Sequence, residues 1–280
     1  MILDGKVVAA SIKEQLREEI NGRMDIIGRR PRLVIISVGD DPASKVYVRN
    51  KMKAAEEVGI VALHKQFETE TFLPHICRYI AALNLADDVD GIMVQLPLPK
   101  HLNERAIIDT IDPSKDVDGL TTTNIGRLRS GQDCLKPCTA AGIIDLCKYY
   151  NIELDDKDVT IIGRSNIVGK PLADLMMAEG ATVTQCHSHT KQLQNHTDYA
   201  DIVVSAIGQP KFITDFHVHG CQTVIDVGIN RDENGKLCGD VDFDGVKDKV
   251  ESITPVPGGV GPMTVAELMK NVVIAWRKEG

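Results

Sequence analysis

Short, nearly continuous apolar runs recur along the chain, each closed by Gly, Pro or Asp: RLVIISVG (32–39), DGIMVQLPLP (90–99), DVTIIGRS (158–165), ATVTQCH (181–187), ADIVVSAIG (200–208) and QTVIDVGI (222–229). Runs of this kind predict strands covered on both faces, and their alternation with helical segments is the rhythm of a parallel α/β protein. A helical period takes over in PASKVYVRNKMKAAEEVG, with Pro42 and Ser44 at its start and Gly59 as its stop. Tyr47, Lys51, Ala54, Ala55 and Val58 fall on one face at spacings of three and four, while Arg49, Lys53 and Glu57 point elsewhere. Between Leu120 and Thr139 the period lapses, which predicts a passage between two domains, and a second passage is expected at PVPGGVGP. After that turn, Thr264 and Glu267 have the spacing of a capping box and open an apolar helix through Val265, Leu268, Val272 and Ala275.

Composition narrows the function. The 280 residues are 43% hydrophobic and 26% charged, enough for one large or two modest globular domains. A net charge of -8 argues against nucleic acid and anionic membranes, which select clustered Lys and Arg, so a small-molecule partner is expected. No run reaches the roughly 18 apolar residues of a membrane span, and the first residues carry Asp4, Lys6 and Lys13 instead of a signal segment. The expected location is the cytoplasm. Seven scattered cysteines fit reduced thiols better than a disulfide framework. Cys134 and Cys138, even with His187 and His189, lack the spacing of zinc-ligand pairs, and no metal site is expected.

The segment VTIIGRSNIVGKPLADLMMAEGATVTQCHS reads strand, tight turn, helix, strand, the unit that sets a pyrophosphate at a helix N-terminus. Its glycines are Gly163 and Gly169, so GxGxxG is absent, and strand-to-helix turns use glycine for steric reasons in any α/β fold. NAD sites carry an Asp or Glu after the second strand for the ribose 2′-hydroxyl. Here that strand ends in Cys186, His187, Ser188, His189 and Thr190. With no carboxylate to repel a phosphate, Arg164 and Ser188 suit the 2′-phosphate of NADP; a surface Arg and a turn Ser are the plainer alternative.

Lys51 is the second candidate. A lysine on an apolar stripe is either a side chain whose stem packs at the helix edge or a buried amine with a lowered pKa, usable as a base near neutral pH. Gln95 lies at a strand end, where sites gather in parallel sheets, just before two prolines that must stop regular pairing. In DVDGL, Asp116 and Asp118 flank Val117 in what could equally be a plain acidic turn.

Five stretches, VGDDPASKVYVRNKMKAAEEVGI, GIMVQLPLP, KDVDGLTTTNIGRL, GRSNIVGKP and ITPVPGGVGPMTVAELM, together resemble the bifunctional methylenetetrahydrofolate dehydrogenase/methenyltetrahydrofolate cyclohydrolase family, in order from about Leu3 to Val273. The resemblance implies NADP-dependent oxidation of 5,10-methylenetetrahydrofolate and hydrolysis of the methenyl cation to 10-formyltetrahydrofolate at one shared folate site. It implies Lys51 as the catalytic lysine, Tyr47 as the ring stacking on folate, Gln95 as the hydrogen-bond partner of the lysine and Asp118 as the group holding the pterin. Val94 and Leu96 flank Gln95 in the substrate site, and Pro257, Gly258, Gly259, Val260, Gly261 and Pro262 match the loop that closes on folate. The cofactor residues are then Gly163, Arg164, Ser165, Gly169, Ser188 and Ile229.

The fold implied is α/β in two domains. Residues 1–138 and 263–280 form the N-terminal folate-binding catalytic domain, to which the final helix returns, and 139–262 form a Rossmann-like parallel-sheet NADP domain. Two chains are expected to pair through their nucleotide domains. Two positions depart from the family pattern: Ala140 stands where Pro is usual, and His189, where Lys is common, weakens the positive charge near the expected 2′-phosphate. The rival readings are a monofunctional enzyme of the same fold and a non-catalytic dinucleotide-sensing module; the latter has no need of a lysine on an apolar stripe.

Overall fold

The computed structural model describes residues 1–277. In chain order the elements are α1 (Gly5–Ile27), β1 (Arg32–Val38), α2 (Pro42–Val58), β2 (Val61–Phe67), α3 (Leu73–Asn84), β3 (Gly91–Val94), α4 (Glu104–Ile108) and α5 (Thr122–Arg129). They continue with α6 (Cys138–Tyr149), β4 (Asp158–Ile162), α7 (Gly169–Ala178), β5 (Thr182–Cys186), α8 (Leu193–Thr197), β6 (Ile202–Ser205) and β7 (Thr223–Asp226). Last come β8 (Asn230–Arg231), β9 (Leu237–Cys238), α9 (Phe243–Val246), β10 (Ser252–Ile253) and α10 (Val260–Arg277). They fall into two compact units, one made of Ala10–Cys138 and the residues from Val265 onward, the other of Met1–Ala9 and Thr139–Thr264.

In the first unit, β1 is the centre of a parallel three-stranded sheet of order β2-β1-β3. Successive side chains of a strand point to opposite faces, and β1 feeds two cores in this way. Leu33 and Ile35 pack with Ala55 and Val58 of α2 and with Leu268, Val272 and Trp276 of α10. Val34 and Ile36 pack with Ile76 and Ile80 of α3 and with Ile92 and Ile107. Each such side chain is worth roughly 1.5–3 kcal/mol when fully buried, which is why this strand is legible as a continuous apolar run.

The second unit holds a five-stranded parallel sheet of order β10-β7-β6-β4-β5. The chain leaves β4 for β5 on one side and returns to β6 on the other, so a topological switch point lies between β4 and β6, the place where open α/β sheets bind ligands. β8 and β9 form a short antiparallel pair beside it.

Several expectations need correction. The run 90–99 yields only the four-residue strand β3: the Gln95 N–H still donates to the Ile36 carbonyl of β1 at 2.7 Å, but Pro97 and Pro99 beyond it have no N–H to continue the ladder. β2 is a strand that the apolar pattern does not predict: its sequence VALHKQF is mostly exposed at a sheet edge, so no apolar run marks it. The stretch from Leu120 to Thr139 is not all passage, since α5 forms there, capped by Thr121, whose hydroxyl accepts from the Asn124 N–H at 3.2 Å. The last helix begins at Val260, not Thr264. Pro262 is accommodated in its first turn, and Thr264 is an interior residue whose hydroxyl reaches the Val260 carbonyl and Thr139 instead of capping. Finally, Met1–Ala9 is compact with the second unit, because the Leu3 N–H donates to the Ile253 carbonyl and the Ile253 N–H to the Met1 carbonyl, each at 2.9 Å, along the otherwise open edge of β10.

Candidate active site

The Asp41 carboxylate fixes the start of α2 by accepting from the Ser44 N–H at 2.7 Å, with Pro42 at the first helical position, so Asp41 is the cap residue the spacing alone did not identify. From that fixed end, Val48, Ala54, Ala55 and Val58 turn into the core. Tyr47 does not belong to the buried face: it is 39% exposed, and its ring is free to meet a ligand. Lys51, one turn on, is only half-buried as a residue. Its ammonium points toward the end of β3, donating to Gln95 Oε1 at 3.0 Å and touching Met93 Sδ at 3.5 Å. Gln95 is buried and held by donating its Nε2 to the Leu96 carbonyl at 2.7 Å, which leaves Oε1 aimed at the amine. Val94 closes β3 in the core, and Leu96 is half-buried just beyond it.

Desolvation lowers the pKa of Lys51 below that of an ordinary lysine; the charge of Asp118 opposes the shift. Asp118 sits in the DVDGL turn that Asp116 organises. The buried Asp116 carboxylate accepts from the N–H groups of Leu120 and Thr121 at 3.2 and 2.8 Å and from Asn124 Nδ2 at 2.9 Å. Burial raises its pKa, opposed by those hydrogen bonds. The two aspartates thus divide the work: one builds the turn, the other faces the lysine.

Two participants escaped the sequence reading. Cys138 is fully buried beside this cluster, donating to the Val117 carbonyl at 3.2 Å, and burial, then Asp118 and Glu267, push its thiol well above the usual range, so it stays neutral. Asn271 on α10 donates to the carbonyls of Val117 and Lys136 at 2.9 and 2.8 Å, tying that helix to the turn that carries Asp118. A signal for it existed: Asn271 is a polar residue inside the apolar stripe of Leu268, Val272 and Ala275.

In the second unit, Gly163 ends β4 with a φ of 126°, and a Cβ there would run into the Ala206 carbonyl, so this turn requires glycine for close approach of two backbones. Ser165 Oγ accepts from the Val168 and Gly169 N–H groups at 3.2 and 3.3 Å and shapes the start of α7. Arg164, Ser188 and Ile229 are exposed at the ends of β4, β5 and β7, free to touch a ligand, and no carboxylate stands between Cys186 and Thr190. The turn after β5 is organised by the Thr190 hydroxyl, which accepts from the His187 N–H at 2.9 Å, while His189 is exposed. Gly258 and Gly259 are buried in the turn before α10, whereas Val260, Gly261 and Pro262 already belong to its first turn and Pro257 is exposed.

All seven cysteines are free. Among the described residues no three His, Cys, Asp or Glu side chains converge as metal ligands, and no helix is long and apolar enough to cross a membrane.

Residues 3–118 match the catalytic domain of tetrahydrofolate dehydrogenase/cyclohydrolase, and residues 137–280 match the NAD(P)-binding domain of the same family. A bifunctional protein FolD from Agathobacter rectalis is 51% identical over 277 residues, covering 99% of each chain. Among solved structures, the bifunctional FolD enzyme of Campylobacter jejuni superposes with a TM-score of 0.97 at 44% identity, covering 99% of each chain. The Trypanosoma brucei methylenetetrahydrofolate dehydrogenase-cyclohydrolase, solved with NADP and an inhibitor, has a TM-score of 0.93 at 36% identity and covers 99% of this chain and 97% of its own.

Proposed function

Because the chain belongs to the tetrahydrofolate dehydrogenase/cyclohydrolase family, we propose that it oxidises 5,10-methylenetetrahydrofolate with NADP and hydrolyses the resulting methenyl cation to 10-formyltetrahydrofolate. The observation that carries this reading is the Lys51 amine, lowered in pKa by burial and held at 3.0 Å from Gln95 Oε1. Gly163, Arg164, Ser165, Gly169, Ser188 and Ile229 would hold NADP, which would supply the hydride acceptor for the methylene carbon. The protein need remove no proton in that step; its task is to orient the folate, with Tyr47 stacking on it and Asp118 accepting from the pterin. The hydrolysis does need proton transfer. Water adds to the methenyl carbon and the neutral Lys51 amine takes one of its protons; the same group returns a proton to the departing ring nitrogen, while the remaining hydroxyl proton passes to solvent as the formyl C=O forms. Incubating the protein with methylenetetrahydrofolate and NADP, while following methenyl and reduced-cofactor absorbance, tests the whole sequence. Reduced cofactor without decay of the methenyl signal leaves a monofunctional dehydrogenase, and no turnover at all leaves a dinucleotide-binding module.

The preference for NADP over NAD rests on Arg164 and Ser188, exposed at the ends of their strands with no carboxylate between Cys186 and Thr190. Arg164→Ala removes a charge-assisted contact worth about 1.5–3 kcal/mol, so the ratio of NAD to NADP dissociation constants falls by roughly one to two powers of ten. Equal affinity of the unaltered protein for the two cofactors defeats the idea.

We further propose a cytoplasmic homodimer, supported by the free cysteines and by the prevalence of two-fold pairs among soluble enzymes. Light scattering at micromolar concentration is expected to give twice the chain mass of 30.6 kDa. A mass near that of one chain counts against pairing.

A further inference from the structure

The most densely satisfied side chain in the second unit is one that the chemistry above does not use. Asp240 is fully buried, and its carboxylate takes five donors. Oδ2 accepts from Ser205 Oγ at 3.2 Å, from the Ile207 N–H at 2.8 Å and from the Gly208 N–H at 3.2 Å. Oδ1 accepts from the Gln209 N–H at 2.9 Å and from Asn230 Nδ2 at 2.8 Å. Three consecutive backbone N–H groups of the loop after β6, the last residue of β6 and the first residue of β8 therefore converge on one carboxylate.

Asp240 is itself held by a second buried carboxylate. Asp226, the last residue of β7, accepts from the N–H groups of Asp240, Val241 and Gly228, each at 2.9 Å. The approach is close enough that a Cβ on Gly228 would run into Asp240 and one on Gly239 would run into Asp226. The Asp226 N–H in turn donates to Thr254 Oγ1 at 2.7 Å. Burying two carboxylates this near each other is costly unless their oxygens are satisfied, and here backbone N–H groups satisfy them.

What the pair holds in place is one wall of the switch point. The loop after β6 begins with Ala206, whose carbonyl is the atom that the turn at Gly163 packs against, and the loop after β7 holds Gly228 beside Ile229. In an open parallel sheet the crevice between the two strands at the switch point, here β4 and β6, is the ligand site. Building on the reading of this unit as the NADP domain, we propose that Asp240 is a positioning residue for the dinucleotide: it fixes the loop of residues 206–209 at the height that makes the wall opposite the Gly163 turn. Asp240→Asn keeps the shape but turns an NH₂ toward N–H donors on one of its two sides. Whichever side that is, the loop loses acceptors and must move.

The test uses the full chain and two readouts. NADP binding is measured by calorimetry without folate, and cyclohydrolase activity is measured without NADP, so the second reports only on the lysine site. Asp240→Asn is expected to raise the NADP dissociation constant about tenfold or more, in keeping with the cost of misplacing a binding surface by about 1 Å. Cyclohydrolase turnover should stay within about twofold of wild type, since a rigid wall elsewhere contributes nothing to proton transfer at Lys51. A folded variant that binds NADP as wild type does overturns the inference. So does one whose cyclohydrolase activity falls by the same factor as its affinity, because that marks a general loss of structure. Should Asp240→Asn fail to fold, Ser205→Ala and Asn230→Ala each remove one donor and leave the carboxylate in place. A weaker NADP affinity in either supports the inference, and wild-type affinity in both overturns it. If the unaltered protein binds no NADP, the dinucleotide reading itself falls; if it binds and the variants bind equally well, only the role of Asp240 does.

Discussion

Lys51→Met is expected to lower cyclohydrolase turnover by roughly 10² to 10⁴, the usual worth of a positioned general acid or base, while a measurable dehydrogenase activity remains and methenyltetrahydrofolate accumulates. The asymmetry follows from the two reactions. Hydride departure generates a cation without the protein accepting a proton, whereas hydrolysis moves one proton from water and another to nitrogen. Because burial lowers the Lys51 pKa, the wild-type cyclohydrolase rate should rise with pH through a range below that of an ordinary lysine, as the amine becomes neutral. The residual activity of the variant should lack that limb. The same shift has a stability consequence of definite sign. A lysine whose folded pKa is depressed costs the fold nothing above its unfolded pKa, and the cost grows as pH falls from there through the folded value. At neutral pH the folded protein therefore carries this cost, and an uncharged methionine side chain in the lysine's place, beside Met93, should leave thermal stability equal or higher. That makes loss of folding a poor explanation for loss of hydrolysis. Near wild-type hydrolysis in the folded variant removes Lys51 from the mechanism.

Asn271→Leu is expected to have the second largest effect, on stability and on folate together. Leucine has nearly the same size but no donors, so the Lys136 carbonyl loses its partner and the Val117 carbonyl keeps only the weak Cys138 thiol. A buried acceptor left without a partner costs about 1–3 kcal/mol, and a loss of that size is expected. The single tryptophan, Trp276, is fully buried on the same helix, so its fluorescence in a urea titration follows the unfolding of this unit directly. Val117 also precedes Asp118, and loosening it should raise the KM for folate in both reactions without altering NADP affinity. A stability change under about 0.5 kcal/mol, typical of surface substitutions, sinks the structural claim; an unchanged KM sinks the functional one.

The residues whose chemistry depends on local pattern are legible in the sequence. β1 and β4 stand out because both their faces are buried, which demands an uninterrupted apolar run. Lys51 stands out because a charge on a helix stripe next to Ala54, Ala55 and Val58 breaks a simple rule. Gly163 and the missing carboxylate after β5 are local features of the same kind. β2 is not legible, because an exposed edge strand imposes no hydrophobic pattern, and the early start of α10 is hidden because Gly261 and Pro262 look like a loop until they are seen within a first helical turn.

Sequence by itself thus determined which segments must be covered on both faces and the parallel α/β class, and it singled out Lys51, Gln95 and Asp118 as candidates, since each depends on neighbours a few residues away or on a motif read as a unit. Only the tertiary structure decided which nitrogen and oxygen atoms meet. Gln95 Oε1 reaches Lys51 across 44 residues, Asn271 reaches Val117 across 154, and Asp240 gathers donors from residues 205 to 230. Hydrogen bonds of this length in sequence leave no period in the chain. They form because burial strips water from polar groups and makes an unpaired donor or acceptor costly, and that requirement arises only once the strands and helices have packed.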